Sequence, residues 1–514
     1  MIQTNVPTLI QQMMQPGFYP HPVKEPIQLM QTHVSYVFLT GDYAYKVKKP
    51  MNFGFLDFST LEYRQHFCSE ELRMNQPIAP EIYLEVLPIT HKGDTFVLGG
   101  TGQPVEYVLK MCQFPQEALF INLFEQGKLT AAHMEELGRI VAQFHAEAQT
   151  SDYIRSFGKV SKIREAIDEN YQQTEKYIGG PQSQQQYDET KHFTDTFFAD
   201  CQELFATRRE TDQIRECHGD LHLRNICLWH DKIQLFDRIE FNEPFRFVDV
   251  MYDVAFTVMD LDARGRQDLG NVFLNTYVEQ TGDWEGLQVL PLYLSRQAYV
   301  RAKVNSFLLD DPGVPDDAKQ EAAAIASDYY RLAWEYTKTN QGQLILMSGL
   351  SGSGKSTVAR HLAQRLGGIY IRSDAVRKHL AGVPLEQPGA DELYTSAMSE
   401  KTYGRLLELG IKLASVGFPV ILDAKYDRQS FRQEAIALFK SYQLPVRIIH
   451  CTAPEDVLRD RLLSRTGDVS DATASLLTLQ QAAAQPFTEE EQSLVITLDT
   501  TQDWTSQLLA IPGL

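Results

Sequence analysis

The sequence predicts two folds in tandem: an α+β segment over residues 1–338 and an α/β segment with a parallel sheet over residues 343–514. Three observations predict this. First, the run Gly349-Leu350-Ser351-Gly352-Ser353-Gly354-Lys355-Ser356 follows the apolar stretch Leu344–Ser348 and fits G-x-x-x-x-G-K-[ST]. Second, the strand-like runs Gly368–Ile371, Pro419–Leu422 and Val446–His450 alternate downstream with helical stretches, the pattern of a parallel sheet. Third, far more chain precedes the glycine-rich run than such a fold needs. That earlier chain opens on alternating strands and continues as helices.

The elements follow in order. Val34–Thr40 runs into Gly41-Asp42 and then Tyr43–Lys48, a hairpin with a Gly-Asp turn. Ser59 to Asn75 predicts a helix, with Ser59 or Thr60 as its N-cap and Glu62 in its first turn. Val105–Met111 is a strand. Residues 129–210 are mostly helical, broken near Gly179-Gly180-Pro181, and residues 225–237 form a strand pair around Trp229-His230-Asp231-Lys232. Helices dominate again over residues 245–337. The polar stretch Lys338–Gln343 marks the domain boundary.

At 514 residues the chain calls for more than one hydrophobic core. A formal net charge of −19 argues against general polyanion binding, so no nucleic-acid partner is expected. The six cysteines are scattered without C-x-x-C or zinc spacing, the pattern of reduced thiols. No run of about 18 apolar residues occurs, and the first lysine is Lys24. These features lead to the expectation of a cytoplasmic protein without a membrane segment.

In the glycine-rich run, backbone N–H groups converge on a phosphate at a helix N-terminus. Gly349, Ser351, Gly352, Ser353, Gly354, Lys355, Ser356 and Thr357 are therefore the expected nucleotide-binding residues, with Ser356 also on Mg²⁺. Val420-Ile421-Leu422-Asp423 ends a buried strand in an acid, which puts Asp423 near the metal or leaves it as a helix cap. Tyr370–Arg377 places Asp374 at a strand's carboxyl edge, with Arg377 one turn further on. Asp374 there can take a proton from a substrate hydroxyl, and Arg377 can hold an anionic group. Arg461 and Arg465 are spaced i, i+4 and precede Gly467–Asp471. They read either as a lid bringing positive charge to a phosphoryl group or as a solvated face.

This third of the chain resembles the P-loop small-molecule kinases, the gluconate kinase, chloramphenicol phosphotransferase and zeta-toxin group. The resemblance rests on Gly349–Ser356, Ser373-Asp374-Ala375-Val376-Arg377, Leu422-Asp423-Ala424 and the two arginines. It implies Asp374 as catalytic base and Asp423 as a metal-shell acid.

A second signature stands earlier. His218-Gly219-Asp220-Leu221-His222-Leu223-Arg224-Asn225 fits H-x-D-x-x-x-x-N, and Asp237 follows the strand Ile233–Phe236. Such spacing puts an acid beside an acceptor hydroxyl and an amide on Mg²⁺. Here the chain resembles the aminoglycoside phosphotransferase and choline kinase group, a bilobal protein-kinase-like fold. The resemblance implies catalytic Asp220, metal-binding Asn225 and Asp237, and structural His218. It also implies a strand lysine for the α/β-phosphates, Lys46 or Lys48, paired with a helix acid: Glu71, with Glu70 and Glu62 as rivals. Tyr107–Met111 would be the interlobe hinge, with Met111 near the adenine. No G-x-G-x-x-G precedes Lys46, and Asp237 is followed by Arg238-Ile239 in place of Phe-Gly.

The expected activity is transfer of the γ-phosphate of ATP to a small-molecule hydroxyl, with ATP and Mg²⁺ at two sites. Two alternatives stand beside it. Only the P-loop domain is catalytic and the first domain regulates, or the chain is an ATP-dependent switch related to toxin modules.

Overall fold

A computed structural model of the chain describes residues 8–54, 56–93, 95–338, 340–464, 469–470, 475, 477–509 and 511. The chain divides into two compact units. One comprises Met1–Leu129, Glu147–Ile163 and Gln202–Thr257. The other comprises Thr130–Ala146, Arg164–Cys201 and Val258–Leu514.

The first unit is built on strands β1 (Gln28–Gln31), β2 (Ser35–Leu39), β3 (Tyr43–Lys48), β4 (Tyr83–Lys92), β5 (Thr95–Leu98) and β6 (Pro104–Cys112). They form an antiparallel sheet in the order β1-β2-β3-β6-β4-β5. The β2–β3 hairpin turns at Gly41-Asp42, as expected, pairing Leu39 with Ala44. Side chains alternate across a strand. Tyr45 and Val47 of β3 therefore join Phe38, Ile89 and Val108 in the core on one face, which leaves Lys46 and Lys48 together on the other. Helix α1 (Leu61–Asn75) packs along β4 and β6. It is capped by Thr60, whose side chain accepts from the Tyr63 N–H, and a buried Arg64–Glu106 ion pair at 2.8 Å fastens it to β6.

The rest of this unit carries β7 (Ile214–Glu216), the hairpin β8 (Ile226–Trp229) and β9 (Lys232–Leu235), and β10 (Phe247–Asp249), which pairs with β7. His230 and Asp231 take left-handed φ of 52° and 59° at the hairpin tip, the geometry of a tight two-residue turn. Helix α2 (Val250–Asp262) follows β10 directly.

The second unit holds helix α3 (Gln267–Thr281) and a parallel sheet of β11 (Gln343–Ser348), β12 (Ile369–Arg372), β13 (Pro419–Asp423), β14 (Val446–Thr452) and β15 (Val495–Asp499). The sheet order is β12-β13-β11-β14-β15, so β11 is central and β12 lies at one edge. Helix α4 (Lys355–Leu366) leaves β11 through the glycine-rich run, and helix α5 (Ser373–Ala381) leaves β12. Ile345, Met347, Val358, Leu362, Ile421 and Ile449 form the shared core. Strand β15 was not among the expected runs, although Val495-Ile496-Thr497-Leu498 carries a strand composition.

The outer edge of β12 is covered by α3. Asn271 Nδ2 and Asn275 Nδ2 donate to the Gly368 carbonyl at 2.8 and 3.1 Å, and Asn275 Oδ1 accepts from the Tyr370 N–H at 2.9 Å. A side-chain amide thus supplies the pairing that an edge strand otherwise lacks. Among the described residues no helix is long and apolar enough to cross a membrane.

Candidate functional sites

In the first unit, β3 brings Lys46 and Lys48 onto one face and α1 brings Glu71 against it. Lys46 Nζ donates to Glu71 Oε1 at 2.7 Å, and Lys48 Nζ donates to Glu71 Oε2 at 2.7 Å. Each lysine has a second carboxylate: Asp237 Oδ1 at 2.6 Å for Lys46, and Glu240 Oε1 for Lys48. The geometry separates the two lysines. Lys48 is buried at 2% exposure with its ammonium over the Phe58 ring, whereas Lys46 reaches the half-exposed Asp237. Of the rival acids, Glu70 turns to Arg73 and Glu62 is exposed in the first turn.

The electrostatics follow from burial set against pairing. Burial works against the Lys46 ammonium, but Asp237 and Glu71 outweigh it and hold its pKa well above the ordinary lysine value. Burial likewise raises the Glu71 carboxyl, and the two lysines overcome that effect and hold it down at about 2.

The loop His218–Asn225 is held from below by Asp253 on α2. The His218 N–H donates to Asp253 Oδ2 at 2.6 Å and the Gly219 N–H to Oδ1 at 2.8 Å. His218 Nε2 meets the Phe236 carbonyl at 2.9 Å, and burial pushes its pKa down to about 4, so the ring is neutral. Asn225 Nδ2 donates to Asp220 Oδ2 at 3.0 Å, and His222 Nε2 lies 3.4 Å from the same oxygen. Asp220 and Asp237 both keep exposed carboxylates. Asp237 has a left-handed φ of 62°, and its N–H donates to the Tyr83 hydroxyl at 3.0 Å.

The Arg238 that stands in place of Phe is buried. It donates to the Met74, Glu216 and Cys217 carbonyls, which ties the end of α1 to β7. Asp249 ends β10 and is held by Arg208 at 2.5 Å. One expectation is corrected here. Tyr107–Met111 is continuous β6 strand, paired on both sides, and Met111 lies opposite Ala44 and Tyr83. The chain leaves that sheet after Cys112, so the hinge does not lie where the sequence placed it.

In the second unit, a cavity of about 310 Å³ sits at the carboxyl edge of the parallel sheet. Gly352, Lys355, Ser356, Asp374 and Asp423 line it, and both carboxylates act on the Lys355 ammonium. Gly352 and Gly354 have φ of 81° and 86°, and a Cβ at Gly352 would come within 2.8 Å of the Leu458 carbonyl. The loop therefore accepts only glycine where its backbone must approach a phosphate. Lys355 Nζ donates to the Leu350 carbonyl at 2.8 Å; burial lowers its pKa, and Asp423 partly offsets this. Ser351 and Thr357 also line the cavity, while Ser353 is buried beneath it and accepts from the Thr500 hydroxyl at its carbonyl.

Helix α6 (Glu455–Ser464) brings Arg461 to this cavity. Its guanidinium donates to the Gly352 carbonyl and to Thr500, at 3.2 and 2.8 Å, bracing the loop. Arg465 lies outside the described residues. Arg377 is buried with its Nε 4.0 Å from Asp374 Oδ1; it donates to the Leu393 carbonyl at 3.1 Å, lies over the Tyr394 ring and does not itself line the cavity. Arg360, Arg372 and Lys425 do, and the motifs did not mark them.

The P-loop cavity brings Ser356 and Asp423 together, hard oxygen donors of the kind Mg²⁺ takes. Fold and sites together give a P-loop α/β region, preceded by an antiparallel-sheet region that gathers a strand lysine, a helix acid and two loop acids.

Residues 344–487 match the family model described as "AAA domain". The chain belongs to the same family as the Mycobacterium tuberculosis protein called "Uncharacterized protein Rv2004c". The two are 32% identical over 462 residues, covering 89% of this chain and 90% of that one. Among solved structures, a gluconokinase from Sinorhizobium meliloti is 24% identical at TM-score 0.24, over 33% of this chain and 88% of that one. The GDP complex of an aminoglycoside 2'-phosphotransferase is 11% identical at TM-score 0.41, over 63% of this chain and 97% of that one.

Proposed function

We propose that the chain is an ATP-dependent phosphotransferase with two nucleotide sites, each moving the γ-phosphoryl group of ATP onto a small-molecule hydroxyl. Function divides between a kinase-like region (1–338) and a P-loop region (343–514). The observation that carries the reading is the P-loop cavity, which Lys355 and Ser356 line together with two acids, Asp374 at the start of α5 and Asp423 at the end of β13.

In the P-loop region the loop backbone and Lys355 hold the β- and γ-phosphates, and Arg461 holds the loop in shape. Asp374 orients the acceptor hydroxyl and takes its proton as the new O–P bond forms and ADP leaves. In the kinase-like region Lys46, oriented by Glu71, holds the phosphates, and Asp220 faces the acceptor hydroxyl. Mg²⁺ would be held by Ser356 and Asp423 in one and by Asn225 and Asp237 in the other, where it supplies neutralisation of phosphate charge.

A second reading, with only the P-loop site catalytic, is favoured by one observation. Neither the β1–β2 connection (residues 32–34) nor the β2–β3 turn Gly41-Asp42 is a glycine-rich loop.

The test is transfer from γ-labelled ATP into a small-metabolite extract by wild type, Asp220→Asn and Asp374→Asn, with labelled products identified by mass spectrometry. Label on a small molecule that disappears in one variant supports the reading and names the site. Label released only as free phosphate by all three variants overturns it.

A further inference from the structure

A second cavity, of about 530 Å³, adjoins the P-loop cavity. Its walls are α3, through Thr276 and Gln280, α4, through Gln364, and β12, through Tyr370. Arg360 and Arg372 line both cavities and so stand at the passage between them. This places the larger cavity on the β12 side of the phosphate loop, with Val469 of the segment after α6 also on its wall.

The lining chemistry is specific. Arg372 is buried at 5% exposure, and its Nη1 lies 3.7 Å from Glu279 Oε1. Arg360 is hydrogen-bonded to the Tyr370 hydroxyl and also feels the Glu279 carboxylate, which lines the same cavity. Two guanidinium groups at one passage repel each other, and the single Glu279 carboxylate that acts on both leaves one positive charge in excess for a bound anion. A phosphate monoester, with close to two negative charges and three acceptor oxygens, matches two guanidinium groups better than a carboxylate does. Beyond the passage, Glu135, Glu386 and Gln364 offer acceptors and an amide suited to hydroxyl groups. The volume falls in the range of small-molecule sites.

We propose that this cavity is the acceptor subsite of the P-loop region and that the acceptor is a hydroxylated phosphate monoester. Its phosphate lies between Arg360 and Arg372, its remaining hydroxyls lie against α3 and α4, and one hydroxyl reaches Asp374. The step forms an O–P bond from that hydroxyl to the γ-phosphorus, breaks the bond to ADP, and leaves the hydroxyl proton on Asp374. The class of reaction that supplies such an acceptor is phosphorylation of a hydroxyl. The proposal rests on the P-loop reading above.

The test is calorimetric titration of the full chain, preloaded with Mg²⁺ and a non-hydrolysable ATP analogue. The titrants are pentose and hexose monophosphates, aldonates and unphosphorylated sugars. Arg372→Gln removes a charge-assisted partner. Gln280→Trp and Gln364→Trp fill the cavity without touching the P-loop cavity. Monophosphate binding weakened about tenfold or more by Arg372→Gln and by either tryptophan, with analogue affinity unchanged in the tryptophan variants, supports the proposal. No binding by any titrant overturns it, as does equal binding of aldonates or neutral sugars, or indifference to both tryptophans. If the analogue itself fails to bind, the nucleotide reading falls, while loss of monophosphate binding in the tryptophan variants still reports the cavity. If the analogue binds but ATP never phosphorylates a bound monophosphate, the nucleotide site stands and the acceptor proposal falls.

Discussion

Lys46 Nζ and Asp237 Oδ1 lie 2.6 Å apart, so the strand lysine is in direct contact with the carboxylate expected to hold metal. The same ammonium bonds Glu71, and Glu71 in turn takes Lys48 on its other oxygen. Four carboxylate and ammonium side chains from β3, α1 and the segment after β9 are thereby fixed to one another, with Glu240 closing the chain through Lys48.

The two lysines will differ on substitution. Lys48→Met leaves Glu71 and Glu240 buried with one cation fewer, a loss of about 3–5 kcal/mol typical of a broken buried pair. Lys46→Met leaves Lys48 in place and costs less stability, but removes the proposed phosphate contact. Denaturant unfolding of the first unit, followed beside nucleotide binding at that site, separates the two effects. Equal destabilisation by both would contradict the assignment.

Asp374→Asn and Lys355→Ala will separate chemistry from binding at the P-loop cavity. Removing the base lowers transfer by about 10²–10⁴ while nucleotide affinity holds. Removing the lysine lowers nucleotide affinity itself. Rapid-quench transfer rates and equilibrium dialysis with labelled ATP check both. A drop in affinity with Asp374→Asn would reassign that acid to nucleotide binding.

Helix α3 will prove necessary to the parallel sheet. Asn275→Leu leaves the Tyr370 N–H without its acceptor, at a cost of about 1–3 kcal/mol for a buried donor. A fragment of residues 343–514 lacks α3 and exposes the β12 edge, so it self-associates where the full chain does not. Light scattering of fragment and full chain reads this directly.

Acid will weaken the first unit through His218. Its folded pKa of about 4 lies below the ordinary value of 6.5, so the unfolded chain takes up the proton first. The stability due to its neutral burial is complete above about pH 6.5 and is lost as pH falls toward 4, a total of roughly 3 kcal/mol. Unfolding midpoints from pH 7 to 4 will fall in wild type, and this component will be absent in His218→Gln. A His218→Gln profile parallel to wild type would place the acid sensitivity elsewhere.

Much of both sites was legible in the chain. Lys46 and Lys48 share a face because strand side chains alternate, and Asp374 and Asp423 stand where buried strands end. The lysine choice was not legible, because it depends on Asp237 and Glu240, which lie some 190 positions further along the chain. Arg377 does lie beside Asp374, with its Nε 4.0 Å from Oδ1 as one helical turn dictates, but its Nη1 bonds the Leu393 carbonyl and it does not line the cavity, which no local pattern shows. Arg360 and Arg372 belong to no motif, and only the cavity picks them out.

The sequence by itself determined the chemistry available at each loop. Glycine φ preferences, strand alternation and strand-end acids are local properties, set within a few residues. Tertiary structure decided which charges neutralise one another, which lysine stays near solvent, and that α3 completes the edge of β12 and walls a cavity beside the P-loop. Those outcomes depend on burial and on distances between residues far apart in the chain. Coulombic and hydrogen-bond energies take their size from such distances, and no local pattern encodes them.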